Sequence, residues 1–227
     1  MRSTWDALAR ADQSLYVGDP GRALQELESL FGRLGAEPRS GTCVEIGCGP
    51  GRMTGHLAER FDRVLALDVS PAMVEQAQAR AQAEGRANVE FVVVGGERLD
   101  GVEDGAADVV VCYLVLQHLP RKRLVEGYLR EVGRVTSPGG AAFVQLPVLS
   151  PGIAALGWRA LRSTALPLAD LLSRDPKRSR ALRGVRLSEA ELARALAASG
   201  LRVAARDEGP DAPYRHSTDV FLRLERP

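Results

Sequence analysis

The stretch Val44-Glu45-Ile46-Gly47-Cys48-Gly49-Pro50-Gly51 carries the most information in this chain. A short apolar run, Thr42 to Ile46, reads as a strand, and Gly51 to Phe61 reads as the helix that follows. Glycines at the turn between them let the backbone bend sharply and let a ligand lie close against it. A helix start beyond such a turn offers unpaired N–H groups to a carboxylate or phosphate. A second apolar run, Arg63 to Asp68, ends in an acid about 20 residues after the loop, where a carboxylate can accept hydrogen bonds from ribose hydroxyls.

Outward from this unit, strands and helices alternate. Ser70-Pro71 supplies an N-cap and a first-turn proline for a helix running to about Glu84. Val89 to Val94 and Asp108 to Tyr113 read as the third and fourth strands. Leu124, Val125, Tyr128, Leu129 and Val132 then stripe one face of a helix. Pro138-Gly139-Gly140 reads as a turn before a fifth strand, Ala141 to Leu146. Ser188-Glu189-Ala190-Glu191 is a capping box opening a helix that stops at Gly200, and Arg202 to Arg206 and Thr218 to Leu224 read as the last strands. The central strands are nearly continuous apolar runs, as expected when helices cover both faces of a parallel sheet. The expected fold is α/β: a doubly wound, Rossmann-like, seven-stranded, mostly parallel sheet. Four parts are expected in one domain: an N-terminal helical cap over 1–38, a core over 39–146, a helical insertion over 147–186, and a C-terminal helix and strands over 187–227. Thr4 to Leu34 reads as helical throughout.

Bulk properties narrow the function. A net charge of +1 creates no global field toward nucleic acid or a membrane, so neither is expected as a partner. Cys43, Cys48 and Cys112 have none of the zinc or redox spacings, so neither a disulfide framework nor a metal is expected. Residues 1–10 have no apolar signal core, and a cytoplasmic enzyme is the expectation. The near-exclusive use of Arg over Lys, with many Ala, suggests a bacterial source.

Two cofactor classes share the strand–glycine–strand–acid pattern. A dinucleotide site expects G-x-G-x-x-G, but here Gly51 comes one place early and Arg52 occupies the third glycine's place. The stretch instead resembles motif I of class I S-adenosylmethionine (AdoMet)-dependent methyltransferases, E/D-x-G-x-G-x-G. Leu65 to Met73 resembles that family's second motif, Asp108 to Tyr113 its fourth, and Gly133 to Gly140 the turn before its fifth strand. The run Gln117-His118-Leu119-Pro120 resembles a bacterial subgroup with Q-H-I/L-P.

The resemblance implies the following roles. Gly47, Gly49 and Gly51, with Cys48 between them, line the methionine part of AdoMet, and Glu45 orients that loop from beneath. Arg52 either reaches the AdoMet carboxylate or is a solvated first-turn residue. Asp68 binds the ribose, while Val69 and Met73 pack on adenine, Met73 also being readable as core. Where the family usually has Gly-Asp after the third strand, this chain has Gly95-Gly96-Glu97, so the adenine contact falls to backbone at Gly96 or to Glu97. Tyr113 and His118 lie where cofactor and acceptor meet. His118 is either a general base or a group that caps the pocket. Trp5 and Tyr16 form either a lid over AdoMet or a staple holding the first helix.

The implied activity is methyl transfer from AdoMet to an O, N or C atom of a small molecule, leaving S-adenosylhomocysteine. An RNA or protein methyltransferase and a non-catalytic AdoMet-binding module are the alternatives. Trp158 with its apolar neighbours reads as an acceptor wall or a homodimer face, and Arg174 to Arg186 as an acidic-acceptor site or a solvated basic face. His56 reads as partly exposed, and His216 either reaches the acceptor pocket or is a surface loop residue.

Overall fold

The computed structural model describes residues 2–10, 20–150, 184–209 and 217–227. Tyr16, Trp158, His216 and most of the interval 147–186 lie outside them. The element order is α1 (Arg2–Ala9), a 3-10 turn (Pro20–Arg22), α2 (Ala23–Arg33), β1 (Thr42–Ile46), α3 (Thr54–Ala58), β2 (Arg63–Asp68), α4 (Pro71–Ala83) and β3 (Val89–Val93). Then come β4 (Ala107–Cys112), a 3-10 turn (Leu116–His118), α5 (Lys122–Val135), β5 (Thr136–Leu149), α6 (Glu189–Ser199), β6 (Arg202–Glu208) and β7 (Ser217–Glu225).

The seven strands form one sheet in the order β3-β2-β1-β4-β5-β7-β6. The pairs β1–β2, β2–β3, β1–β4 and β4–β5 are parallel, and β7 is antiparallel to both β5 and β6. The expected doubly wound, mostly parallel sheet is therefore present. Strand order reverses between β1 and β4, and a crevice opens at their carboxyl ends.

Period-two alternation sends β4 side chains to opposite layers. Val109 and Val111 pack with Leu27, Leu30 and Phe31 of α2 and Leu57 of α3. Val110 and Cys112 pack with Val125, Leu129 and Val132 of α5 and with Leu192 and Leu196 of α6. Both faces are buried, which explains the unbroken apolar strands.

Local chemistry sets the element ends. Ser70 Oγ accepts the Met73 N–H at 3.3 Å, with Pro71 in the first turn of α4. Ser188 and Glu191 form the reciprocal capping box of α6, and Gly200 ends it in the left-handed region at φ 73°. Lys122 at the start of α5 reaches both Glu191 oxygens, at 2.5 and 2.7 Å, and ties the two helices.

Several expected boundaries move. The helix expected over Gly51 to Phe61 shrinks to α3, because Gly47, Gly49 and Gly51 all take positive φ and the loop continues to Met53. The helix expected from Thr4 to Leu34 is interrupted: α1 ends at Ala9 and α2 begins after the Pro20–Arg22 turn. The turn expected at Pro138-Gly139-Gly140 is part of β5. There the ladder steps from Ala107↔Thr136 to Val109↔Ala141, so the extra residues bulge outward and Arg226 brackets them by backbone bonds to Gly139 and Gly140. At its far end β5 continues through Pro147 to Leu149, residues expected to open the insertion.

Candidate active site

One cavity occupies the crevice at the carboxyl ends of β1, β2 and β4. Its floor is the β1 loop. Gly47 sits at φ 75°, and a Cβ there would collide with Val115 Cγ2. Gly51, at φ 80°, passes so close to α4 that a Cβ would stand 3.1 Å from Ala77. Gly49 shapes the loop differently: its N–H donates to Asp68 Oδ2 at 3.0 Å.

Asp68, at the end of β2, also accepts the Ser70 N–H on Oδ1 at 2.9 Å. Each carboxylate oxygen retains lone-pair capacity for further donors. Burial raises the Asp68 pKa, while the backbone N–H groups of Ser70, Gly49 and Val69 hold it down. Its partner from β1 is Glu45, 5% exposed, which accepts the Thr54 hydroxyl at 2.6 Å. Burial, helped by the charge of Asp68, pushes the Glu45 carboxyl up to about 7, against the Thr54 hydrogen bond and the Arg52 charge.

Arg52 completes this corner. It is 9% exposed and lines the cavity, which removes the reading of a solvated first-turn residue. Its Nη2 pairs with Glu26 of α2 at 2.8 Å, while its buried Nη1 has no hydrogen-bond partner. A buried guanidinium nitrogen left bare beside a cavity is suited to a carboxylate.

The opposite wall comes from the residues after β4. Leu114 takes φ 58°, a conformation costly for a side chain with a Cβ. Its N–H donates to Gln145 Oε1 at 3.2 Å, and Gln145, 1% exposed, donates in turn to Asp219 at 3.1 Å. This pair from β5 and β7, buried at Gln145 and half-buried at Asp219, holds the turn that presents Tyr113, Val115, Gln117 and His118 to the cavity. Behind it, Gly184 abuts Gln117 and His118 so closely that a Cβ would overlap their backbone, and the Val185 N–H donates to Leu119 O at 2.8 Å.

The third side is α1. Arg2 donates to the carbonyls of Val69 and Val94 at 3.0 and 3.1 Å, the Ser70 hydroxyl bonds Asp6 at 2.5 Å, and Gln76 bonds Ala9 O at 2.8 Å. Trp5 is thereby laid against the cavity mouth beside His118.

Of the expected site residues, Glu45, Gly47, Cys48, Arg52, Asp68, Val69, Tyr113 and His118 line this one cavity. Gly49 and Gly51 shape its loop without lining it. Met73 does not reach it: that side chain, 3% exposed, packs under α1 with Leu8 and Ala9. Glu97 does not reach it either, since its side chain is 71% exposed and lies 3.8 Å from Arg123. Gly96 is buried at φ 90° beside, but outside, the lining. Three contributors were not read as site residues: Glu26, which no motif flags; Gln145, hidden in an apolar strand; and Tyr128, read only as part of an apolar stripe. A polar residue inside an otherwise apolar run was the available signal for the latter two.

Among the described residues no cluster of His, Cys, Asp or Glu is arranged to hold a metal ion, and no helix is long and apolar enough to cross a membrane.

Residues 43–140 match the model of a methyltransferase domain family. The chain is 28% identical over 152 residues to the ubiquinone biosynthesis O-methyltransferase of Xanthomonas axonopodis pv. citri, covering 67% of this chain and 59% of that protein. It is 35% identical over 143 residues to trans-aconitate 2-methyltransferase of Methylobacterium radiotolerans, covering 62% of this chain and 50% of that protein. The human thiol S-methyltransferase TMT1A is 37% identical over 122 residues, 53% of this chain and 45% of that one. The chain thus spans about half the length of the curated relatives it matches. Among solved structures, it is similar to a Haemonchus contortus N-methyltransferase in complex with phosphomonomethylethanolamine and S-adenosylhomocysteine (TM-score 0.71, 12% identity, 100% of this chain and 60% of that one). It is also similar to the YcgJ protein of Bacillus (TM-score 0.64, 17% identity, 91% and 99%). At these identities the structural likeness speaks for the fold, and the sequence matches speak for the family. Residues 43–140 are thus similar to a methyltransferase domain, and the glycine loop, the acid ending β2 and the sheet order agree with that likeness.

Proposed function

We propose that this protein transfers the methyl group of AdoMet to a small-molecule acceptor. The observation that carries the reading is Arg52: a guanidinium nearly sealed from solvent, lining the cavity, with a buried Nη1 that has no partner. A cofactor ending in a free carboxylate would satisfy it, and the Asp68 carboxylate across the loop fits a ribose diol. When bound, AdoMet supplies a methyl group on a sulfonium, already a strong electrophile.

The protein's own part is then mostly placement. Gly47 admits the ligand against the backbone, Arg52 holds its carboxylate end, Asp68 holds its ribose, and Val69 packs on the base. Trp5 and the 113–118 turn narrow the mouth and keep water from the reacting centre. His118 takes the acceptor's proton on a ring nitrogen where the acceptor is a hydroxyl or protonated amine. The relatives are named for small-molecule acceptors, and a net charge of +1 does not favour nucleic acid as a partner. The three cysteines are buried thiols without disulfides, which suits the reducing cytoplasm.

Calorimetry with AdoMet, S-adenosylhomocysteine and NAD, followed by transfer of labelled methyl to a panel of small hydroxyl, carboxyl, thiol and amine acceptors, tests the reading. Binding of both AdoMet species without added metal, no NAD binding, and label in a small product are expected. NAD binding with none for AdoMet would end it.

A further inference from the structure

Tyr128 has a chemistry that its apolar surroundings do not use. The residue is 3% exposed on the inner stripe of α5, among Val94, Leu99, Leu119 and Leu129, and it lines the cavity. As a lining residue it offers its phenol to whatever occupies the cavity. A phenol hydroxyl facing a cavity can both donate and accept a hydrogen bond there. Burial, with the nearby charges of Asp68, Asp100 and Glu131 adding to it, pushes the phenol well above its ordinary pKa, so the group stays a neutral donor and acceptor.

Its place along the cavity identifies the partner. If Asp68 holds the ribose, the base extends past Val69 toward Val94, the next lining residue on that side. The loop after β3 offers no side chain there. Gly95 and Gly96 have none, and Glu97 points to solvent beside Arg123. Gly127 sets α5 against this same loop, its Cβ position lying 3.9 Å from Glu97 O, and Tyr128 is the next residue.

We propose that Tyr128 recognises the adenine edge of the cofactor, its hydroxyl accepting a hydrogen bond from the exocyclic amino group. This rests on the AdoMet reading above. Tyr128 is then a specificity residue for the base, with no part in the chemical step.

The test is a pair of titrations of the whole protein, one with S-adenosylhomocysteine and one with its analogue whose purine lacks the amino group. The unaltered protein should prefer the amino-bearing ligand by about three- to tenfold, the span of one neutral hydrogen bond. In Tyr128→Phe, which keeps the ring and its packing, that preference should fall to about one, with the unliganded melting temperature nearly unchanged. Equal affinity for both ligands in the unaltered protein, or an undiminished preference in Tyr128→Phe, overturns the assignment and leaves the AdoMet reading standing. Failure of the unaltered protein to bind either ligand removes both.

Discussion

The edge of the Trp5 indole stands against the His118 imidazole, with ring centroids 5.2 Å apart and planes at 79°. This contact joins the first helix of the chain to the turn after β4, across the cavity mouth. Trp5 is held there by its own helix's anchors, Arg2 and Asp6, which bond the backbone carbonyls of Val69 and Val94 and the Ser70 hydroxyl. A ligand entering the cavity must therefore change the surroundings of the indole.

That makes Trp5 a reporter. The chain has two tryptophans, so Trp158→Phe leaves Trp5 as the sole indole. Its emission should shift and saturate as S-adenosylhomocysteine is added. A titration that leaves emission flat while calorimetry records binding would show that α1 does not cover the bound cofactor.

Asp68→Ala should weaken S-adenosylhomocysteine by about 1.5–3 kcal/mol, the range for hydrogen bonds to a charged group. It also releases the N–H groups of Gly49 and Ser70, so some loss of melting temperature should accompany it. Calorimetry on the folded variant separates the two effects; unchanged affinity would place the ribose elsewhere.

Glu45 should make stability depend on pH in an unusual direction. Its folded pKa, about 7, lies above the ordinary 4.5, so between these values the native state keeps a proton that the unfolded chain has lost. Stability from this group is complete at the acid end and is lost as pH rises through the folded pKa. The loss is on the order of 3 kcal/mol if the whole shift is realised. Glu45→Gln, which cannot ionise, should therefore gain melting temperature relative to the unaltered protein between about pH 5 and pH 8. Parallel curves for the two proteins would contradict a protonated Glu45.

Gln145→Leu should lower stability by about 1–3 kcal/mol, because it strips the acceptor from the Leu114 N–H and the donor from Asp219 at a buried site. The same change should loosen the Leu114 turn and impair cofactor binding beyond the fold's own loss. Chemical denaturation and calorimetry at a temperature well below the transition test both parts.

His118→Ala distinguishes proton removal from placement. If His118 is the base, kcat should fall about 10²–10⁴-fold, and the rate of the unaltered enzyme should rise with pH through a histidine pKa. Cofactor affinity should change little. A pH-independent rate with near-normal kcat in the variant would assign catalysis to proximity alone.

Much of this was legible before any coordinates. Apolar runs too unbroken for a one-sided sheet gave the parallel core, and Ser70-Pro71 and Ser188 to Glu191 marked helix starts through chemistry local to each. The placement of Asp68 and the glycines at one crevice was readable for the same reason, because it depends on a turn encoded within a few residues. What stayed hidden depends on distant parts of the chain. Glu26 matters only because α2 packs beside Arg52, and Gln145 only because β5 lies next to both the Leu114 turn and β7. Of the two readings open for Met73, the packing beneath α1 with Leu8 and Ala9 is the core one, and that depends on a helix far off in sequence. Gly139 and Gly140 read as a turn because glycine pairs do, but Arg226 recruits them into the ladder.

The stretch of chain between β5 and α6 leaves and returns through one gate. Leu149 donates to Leu187 O at 2.9 Å, Val148 and Leu187 form a bridge, and Val185 is bonded to Leu119 on the cavity wall. Both ends of the interval are thus clamped to the core before it begins and after it ends. With its closure points held, doubling such an interval's length costs only about 0.6 kcal/mol of closure entropy. A lineage can therefore exchange this stretch for one of another length or composition while the cavity and its sheet are inherited intact.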